Sequence, residues 1–355
     1  MRFLGVGDLH FDGPLIRHVP DLNERIASEV DRVFDYARDN GVRNVVFYGD
    51  IYHRPAARPE GQRVFLRLLM GATDLSIYVI AGNHDKEATH GTLAQYPSLA
   101  MFETMQQFKM LPHVRFIVHQ SETRKIDGER VRFLPWPNVD IDRNAVNVIH
   151  VETNGSMLDN GRKLENRDDS EHRMLDTPAQ CVAGHLHTSH SVRNTHYSGT
   201  LYQTTFGESL PKFFHSVTVT NGKMTVKKIP HAPGFRLHNV IVKSQDDLEN
   251  IPAPNDGNTV NKDCVTDFCK LFIHKDVAMP VDLLEQYPNI IRHNTFKTTN
   301  DLEVLVREEL RLDGVDIDLD ESTWVKGWLK TAEAEASMKR RAFALYSDMR
   351  GARVT

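Results

Sequence analysis

Five short apolar runs, residues 3–7, 45–49, 77–81, 146–149 and 181–183, recur through the first half of the chain, and each hands over to a polar cluster at its carboxyl end. Runs of this length bounded by polar residues read as buried strands. Between the first two, Leu22, Ile26, Val30, Val33, Phe34 and Ala37 recur at helical spacing, and residues 64–70 form a second helical stretch between the next two. Strands alternating with helices predict an α/β layered fold, in which ligand crevices lie beyond the carboxyl ends of the strands. The polar clusters therefore mark where chemistry is to be sought.

Further along, residues 216–220 and 223–226 flank Asn221-Gly222. Asn-Gly supplies the positive φ angles of a type I′ turn, so a β-hairpin is expected to close a first domain of residues 1–232. A strand over 237–242 and the Pro-, Asn- and Gly-containing stretch 252–257 open a small second domain, residues 233–320. With Ser322 as N-cap, Trp324, Val325, Trp328, Leu329, Ala332 and Ala336 recur at helical spacing, predicting a C-terminal helical segment over 321–355.

The 355 residues are 40% hydrophobic and 26% charged, enough for one large core with appendages. A formal net charge of -5 gives no global basic field, so any role on nucleic acid must rest on local charge and on metal ions. Cys181, Cys264 and Cys269 form no CxxC pair and are odd in number, which points to a reducing compartment. The longest apolar runs are strand-sized, and a strand beginning at residue 2 or 3 leaves no room for a cleavable leader. A cytoplasmic protein without a membrane span is expected.

Five pieces carry ligand-type side chains at the strand ends: Asp8-Leu-His10, Gly49-Asp50, Gly82-Asn83-His84-Asp85, His150 and Gly184-His185-Leu-His187. Each alone reads more often as a strand-end turn, an Asx-turn or a satisfied core histidine. Their joint occurrence, in order, reverses that weighting. Alternate residues on an extended segment face the same way, so Asp8 with His10, and His185 with His187, are each expected to aim two donors at one point. Asp50 is the natural bridging ligand, because Gly49 lets the backbone approach closely. Imidazole, carboxylate and amide oxygen donors suit borderline ions such as manganese, iron or zinc, and no cysteine lies among them to build a closed structural zinc site. Two such ions clamp the attacking and leaving oxygens of an in-line displacement at phosphorus and generate the hydroxide nucleophile.

In this order the pieces resemble the signature of the calcineurin-like metallophosphoesterases: DxH, GD, GNH[DE], a lone His and GHxH, spread over residues 1–230. The resemblance implies a four-layer α/β sandwich with a small α+β capping domain and a C-terminal helical segment. It implies that Asp8, His10, Asp50 and His187 hold one divalent ion and Asp50, Asn83, His150 and His185 the other, Mn2+ first, with Mg2+, Fe2+ or Zn2+ as alternatives. His84 would then face the scissile phosphate, stabilising charge or protonating the leaving oxygen, with Asp85 as its orienter and His53 positioning the phosphate.

Within the family, Gly49-Asp50-Ile-Tyr-His53 and Tyr197-Ser-Gly199-Thr200 look most like the SbcD-type nuclease subunits of DNA repair and recombination complexes and their bacteriophage relatives. That branch implies a 3′–5′ exonuclease on duplex DNA and an endonuclease on single strands. A homodimer is expected besides, for which the helices after Asp21 or Pro97 are candidates, though no residue demands it. The branch also implies an SMC-like ABC ATPase partner of SbcC type. The C-terminal helix would dock on that partner, with Trp324 and Trp328 as anchors. The charged stretch 154–177, with Arg162, Lys163, Arg167, His172 and Arg173, reads either as a DNA-contacting loop or as a solvated one. Two other functions stay open. A phosphodiesterase of small molecules, nucleotides or lipids is favoured by the acidic charge, though His53 and the long C-terminal extension speak against it. A non-enzymatic scaffold is disfavoured by the intact ligand set.

Overall fold

The computed structural model describes residues 1–89, 92–93, 97–158, 163–164, 175–208, 210–252, 266–280, 282–298, 302 and 305. Two six-stranded sheets stack face to face. The first runs in spatial order β14 (Lys223–His231), β13 (Lys212–Thr220), β1 (Arg2–Val6), β2 (Asn44–Phe47), β3 (Ser76–Ile80) and β6 (Val114–Ile117), parallel from β1 to β6. The second runs β11 (His190–Val192), β12 (Thr195–Tyr197), β10 (Cys181–Ala183), β9 (Val146–Ile149), β8 (Glu129–Leu134) and β7 (Glu122–Ile126), parallel from β12 to β8. A short ribbon, β4 (Glu87–Thr89) with β5 (Thr92–Leu93), stands apart from both.

The two-residue period of a strand divides its side chains between layers. Phe3, Val46, Tyr48 and Ile80 of the first sheet meet Val131, Phe133, Val148 and Val182 of the second in the core between them. Leu4, Val6, Val45 and Phe47 point the other way, onto α1 (Leu22–Asp39) and α2 (Pro59–Met70), whose apolar stripes are those the helical spacing marks out. Strands covered on both faces read as continuous apolar runs, the signal by which sequence locates them. On the outer face of the second sheet, Ile149, Cys181, Ala183 and Tyr197 are covered by Trp136, Ile141, Leu158, Leu164 and Leu175. Among the described residues this fourth layer is built from loops and not helices.

Asn221 and Gly222 take φ of 52° and 74°, and the hairpin they turn adds β13 antiparallel to β1. The β7–β8 hairpin is not anticipated in the sequence reading, although Asp127-Gly128, with φ of 47° and 84°, is an equally strong turn signal. Its strands are rich in charged residues, Glu122, Arg124, Lys125, Glu129, Arg130 and Arg132, and so do not register as apolar runs.

Beyond β14 a third sheet, all parallel, orders β15 (Phe235–Val242), β16 (Thr266–His274) and β17 (Ile290–Phe296). Phe235, Leu237 and Phe268 join the core beneath α1, while Val240, Val242, Leu271 and Ile273 form a separate core with Leu283 of α5 (Leu283–Gln286). Residues 321–355, with Trp324 and Trp328, lie outside the described residues, as does most of the 154–177 stretch. Among the described residues no helix is long and apolar enough to cross a membrane.

The link from β14 to β15 is pinned to α1 by Glu29, which is 1% exposed and accepts from His231 Nε2 and from the Gly234 backbone N–H, each at 2.7 Å. Glu29→Ala leaves both donors buried without an acceptor. It is expected to cost about 2 kcal/mol, read as a lower urea midpoint in equilibrium unfolding.

Candidate active site

Every ligand-type residue lies just beyond the carboxyl end of a strand: Asp8 and His10 after β1, Asp50 after β2, Asn83 in α3 (Asn83–Lys86) after β3, His150 after β9, and His185 and His187 after β10. The site therefore straddles the edges of both stacked sheets. The pairing of Asp8 with His10 does not come from the pleat of an extended strand, a correction to the sequence reading. β1 ends at Val6, and Asp8, His10, Asp50 and His185 all take left-handed backbone, with φ of 54°, 49°, 50° and 84°. Such backbone costs a non-glycine residue about 1 kcal/mol or more and persists where its surroundings over-determine it. Here backbone bonds from His10 N to Asp50 O at 3.0 Å and from Phe11 N to Ile51 O at 2.9 Å tie the two loops together.

Two glycines are fixed by close approach. A Cβ on Gly49, at φ 101°, would fall 2.4 Å from His150 Nδ1, and one on Gly82 would fall 2.0 Å from Asp50 Oδ1. The Gly49-Asp50 and Gly82-Asn83-His84-Asp85 pieces need glycine because ligand side chains pass directly over the backbone.

The ligand atoms of Asp8, His10 and His187 lie within 4.8 Å of one another, as do those of Asp50, His150 and His185. His10 Nε2 is 3.1 Å from His187 Nε2 and 3.8 Å from Asp50 Oδ2. His150 Nε2 is 3.2 Å from Asp50 Oδ2, and both His150 Nε2 and His185 Nδ1 are 3.0 Å from Asn83 Oδ1. Asp8 Oδ1 accepts from the His185 backbone N–H at 2.8 Å, whereas its Oδ2 is buried with no hydrogen-bond partner. An orphaned carboxylate oxygen is unfavourable alone, and with two imidazole nitrogens converging beside it fits a cation held among them. The donor set thus suits two divalent ions sharing Asp50.

The imidazoles are held by their other nitrogens. His150 Nδ1 donates to the Tyr48 carbonyl at 2.7 Å, His187 Nδ1 faces Glu208 Oε1 at 2.8 Å, and His185 Nε2 lies 3.5 Å from Glu152 Oε1. Burial pushes the Asp50 carboxyl up, but His150 and the other imidazoles outweigh it and hold it well below the carboxylate range. Burial lowers His150 while Asp50 and Asp8 raise it further, to about 9. Burial depresses His10 well below the usual imidazole value, and burial with His84 takes His53 down to about 4. At neutral pH His10 and His53 are therefore neutral, and Asp50 holds His150 as an imidazolium.

His84 Nδ1 donates to the His53 carbonyl at 2.9 Å, and the two rings stack at 5.1 Å and 19°. The role expected of Asp85 is corrected here, since that carbonyl, and not Asp85, orients His84. Fully buried, Asp85 accepts from the backbone N–H groups of Ile51 at 3.2 Å, Tyr52 at 2.9 Å and Gly82 at 3.0 Å, and from Ser98 Oγ at 3.2 Å. It clamps the loop carrying Asp50 to the loop carrying Asn83. Sequence reasoning missed Glu208, Glu152 and the Tyr48 carbonyl. A backbone acceptor leaves no trace in residue types, and the one sign of Glu208 is its spacing from Lys212.

Residues 1–198 match the model of the calcineurin-like phosphoesterase family. No curated protein gives a significant match. Among solved structures, the chain is similar to a novel archaeal phosphodiesterase at 12% identity, covering 64% of this chain and 100% of that one with a TM-score of 0.31. It is also similar to a Thermus thermophilus protein at 11% identity, covering 64% of this chain and 98% of that one with a TM-score of 0.37.

Ion binding requires a bare Nε2 on His150, which keeps its proton up to about pH 9. Mn2+ binding is therefore expected to release about one proton at neutral pH, and its apparent affinity to rise about tenfold per pH unit until that value is passed. Calorimetry in buffers of different ionisation enthalpy counts the protons.

Proposed function

Because the chain belongs to the calcineurin-like phosphoesterase family of metal-dependent hydrolases, we propose that it is a DNA nuclease of SbcD type, working in a repair or recombination complex with an SMC-like ABC ATPase. The observation that carries the hydrolytic part is the stacked pair His53 and His84 set against two ligand clusters, Asp8 with His10 and His187, and Asp50 with His150 and His185. His185 and His187 are 23% and 24% exposed and His53 and His84 are half-buried, so a phosphate can reach the centre from that side. Divalent ions held by Asp8, His10, Asp50 and His187 and by Asp50, Asn83, His150 and His185 would supply a hydroxide nucleophile and neutralise charge at phosphorus.

The chain's own groups do the rest. His84 is fixed twice, by its backbone N–H on Asp50 Oδ1 at 2.9 Å and by its Nδ1 on the His53 carbonyl. Nε2 is then the ring atom left to face the leaving oxygen, to which it can give a proton. Neutral His53 can offer an N–H to a phosphate oxygen without adding charge.

DNA as substrate is supported by His53 three residues after Asp50, by Tyr197-Ser-Gly199-Thr200, and by the exposed Arg54 beside His53, a cation placed for a backbone phosphate. Manganese, a homodimer and a cytoplasmic setting belong to the same reading. A phosphodiesterase of small molecules is the second reading, favoured by the net charge of -5.

Purified protein with Mn2+, given linear duplex DNA and separately a chromogenic phosphodiester, is expected to cleave the DNA. Turnover of the small diester without DNA cleavage would favour the second reading. His84→Ala is expected to retain its metal and lose about 10²- to 10⁴-fold in rate. Truncation after Asp320 is expected to leave a metal-dependent nuclease that no longer copurifies with the ATPase.

A further inference from the structure

We propose that Glu208 is a positioning residue for one of the two metal positions alone, acting through His187. The inference rests on the paired-metal reading of the site and not on the identity of the substrate. Glu208 is 2% exposed and lies in the stretch between β12 and β13. Its Oε2 accepts from Lys212 Nζ at 2.6 Å, from the Thr204 backbone N–H at 3.2 Å and from Thr200 Oγ1 at 3.3 Å. Lys212, 5% exposed, has no lone pair to offer, so these donors occupy Oε2 and aim Oε1 at His187 Nδ1, 2.8 Å away, with the Thr204 hydroxyl also on Oε1.

A carboxylate only accepts, so His187 must carry its proton on Nδ1 and present the Nε2 lone pair toward His10 Nε2. Among the described residues the second cluster is held differently. His150 is set by the Tyr48 carbonyl, and His185 by a partly exposed Glu152 at 3.5 Å. Glu208 therefore bears, through His187, only on the position that Asp8, His10, Asp50 and His187 would hold. Lys212 begins β13, the strand paired with β1 that leads into Asp8 and His10, so one sheet edge carries both the ligands and the group that braces His187.

Removing such a partner of a metal-bound imidazole typically weakens binding about 10- to 100-fold. Mn2+ titration followed by electron paramagnetic resonance separates the two positions. The native protein should fill both and show the spectrum of a coupled pair. At the concentration that saturates it, Glu208→Gln should show the hyperfine-split spectrum of an isolated ion, with the remaining ion held at native affinity. Glu208→Gln leaves the Lys212 ammonium buried without its counter-charge, so the double variant with Lys212→Met, which removes both charges, should give the same split in a folded protein. A coupled pair persisting in both variants, or equal loss of both ions in the folded double variant, overturns the role of Glu208. A native protein that binds fewer than two ions overturns the paired-metal reading together with it.

Discussion

The Asp50 carboxylate is the interaction on which the site depends, because it is buried, charged and shared. Oδ1 takes the His84 backbone N–H at 2.9 Å and Oδ2 lies 3.2 Å from His150 Nε2, so one side chain joins the loop after β3 to the end of β9 and thereby one sheet to the other. A buried anion is tolerated only when opposed by positive charge and satisfied by donors. Without ions the opposition comes from protonated His150, lifted to about 9 by the same carboxylate. The residue that defines the centre thus also holds on His150 a proton that must leave before metal can enter.

Concentrating ligands this tightly is locally unfavourable, and the surrounding structure offsets it. Four of the residues concerned, Asp8, His10, Asp50 and His185, take left-handed backbone, and Asp8 Oδ2 has no hydrogen-bond donor. Against this stand the Asp85 clamp, with three backbone N–H groups and a hydroxyl on one carboxylate, and the Glu208–Lys212 pair behind His187. These buried charges contact no substrate position directly. Their role is geometric, since each carboxylate fixes loops or a ligand through the donors it accepts.

The same division explains what the sequence reveals. β1, β2, β3, β9 and β10 are legible because each is covered on both faces and so reads as an apolar run, and the ligands are legible because their residue types at strand ends have few other uses. What is illegible depends on backbone direction and on neighbours distant in sequence. That Asp8 and His10 converge through left-handed turns, that the His53 carbonyl and not Asp85 holds His84, and that Glu208 meets His187 across 21 positions all follow from tertiary closure. The β7–β8 hairpin escapes for another reason, because its many charged residues suit strands at a sheet edge with side chains toward water.

A net charge of -5 does not oppose a phosphate ester here, because the charges that matter are within a few ångströms of the centre. His10 and His53 are neutral, and among the ligands the only carboxylates are Asp8 and Asp50. Two divalent ions against two carboxylates would leave a net positive centre. In a partly enclosed site that local excess is screened less than surface acids are, so it sets the field a phosphate meets at close range. The neutrality of His53 then has a use, since a hydrogen-bond donor carrying no charge can orient a phosphate oxygen without competing with the ions for it.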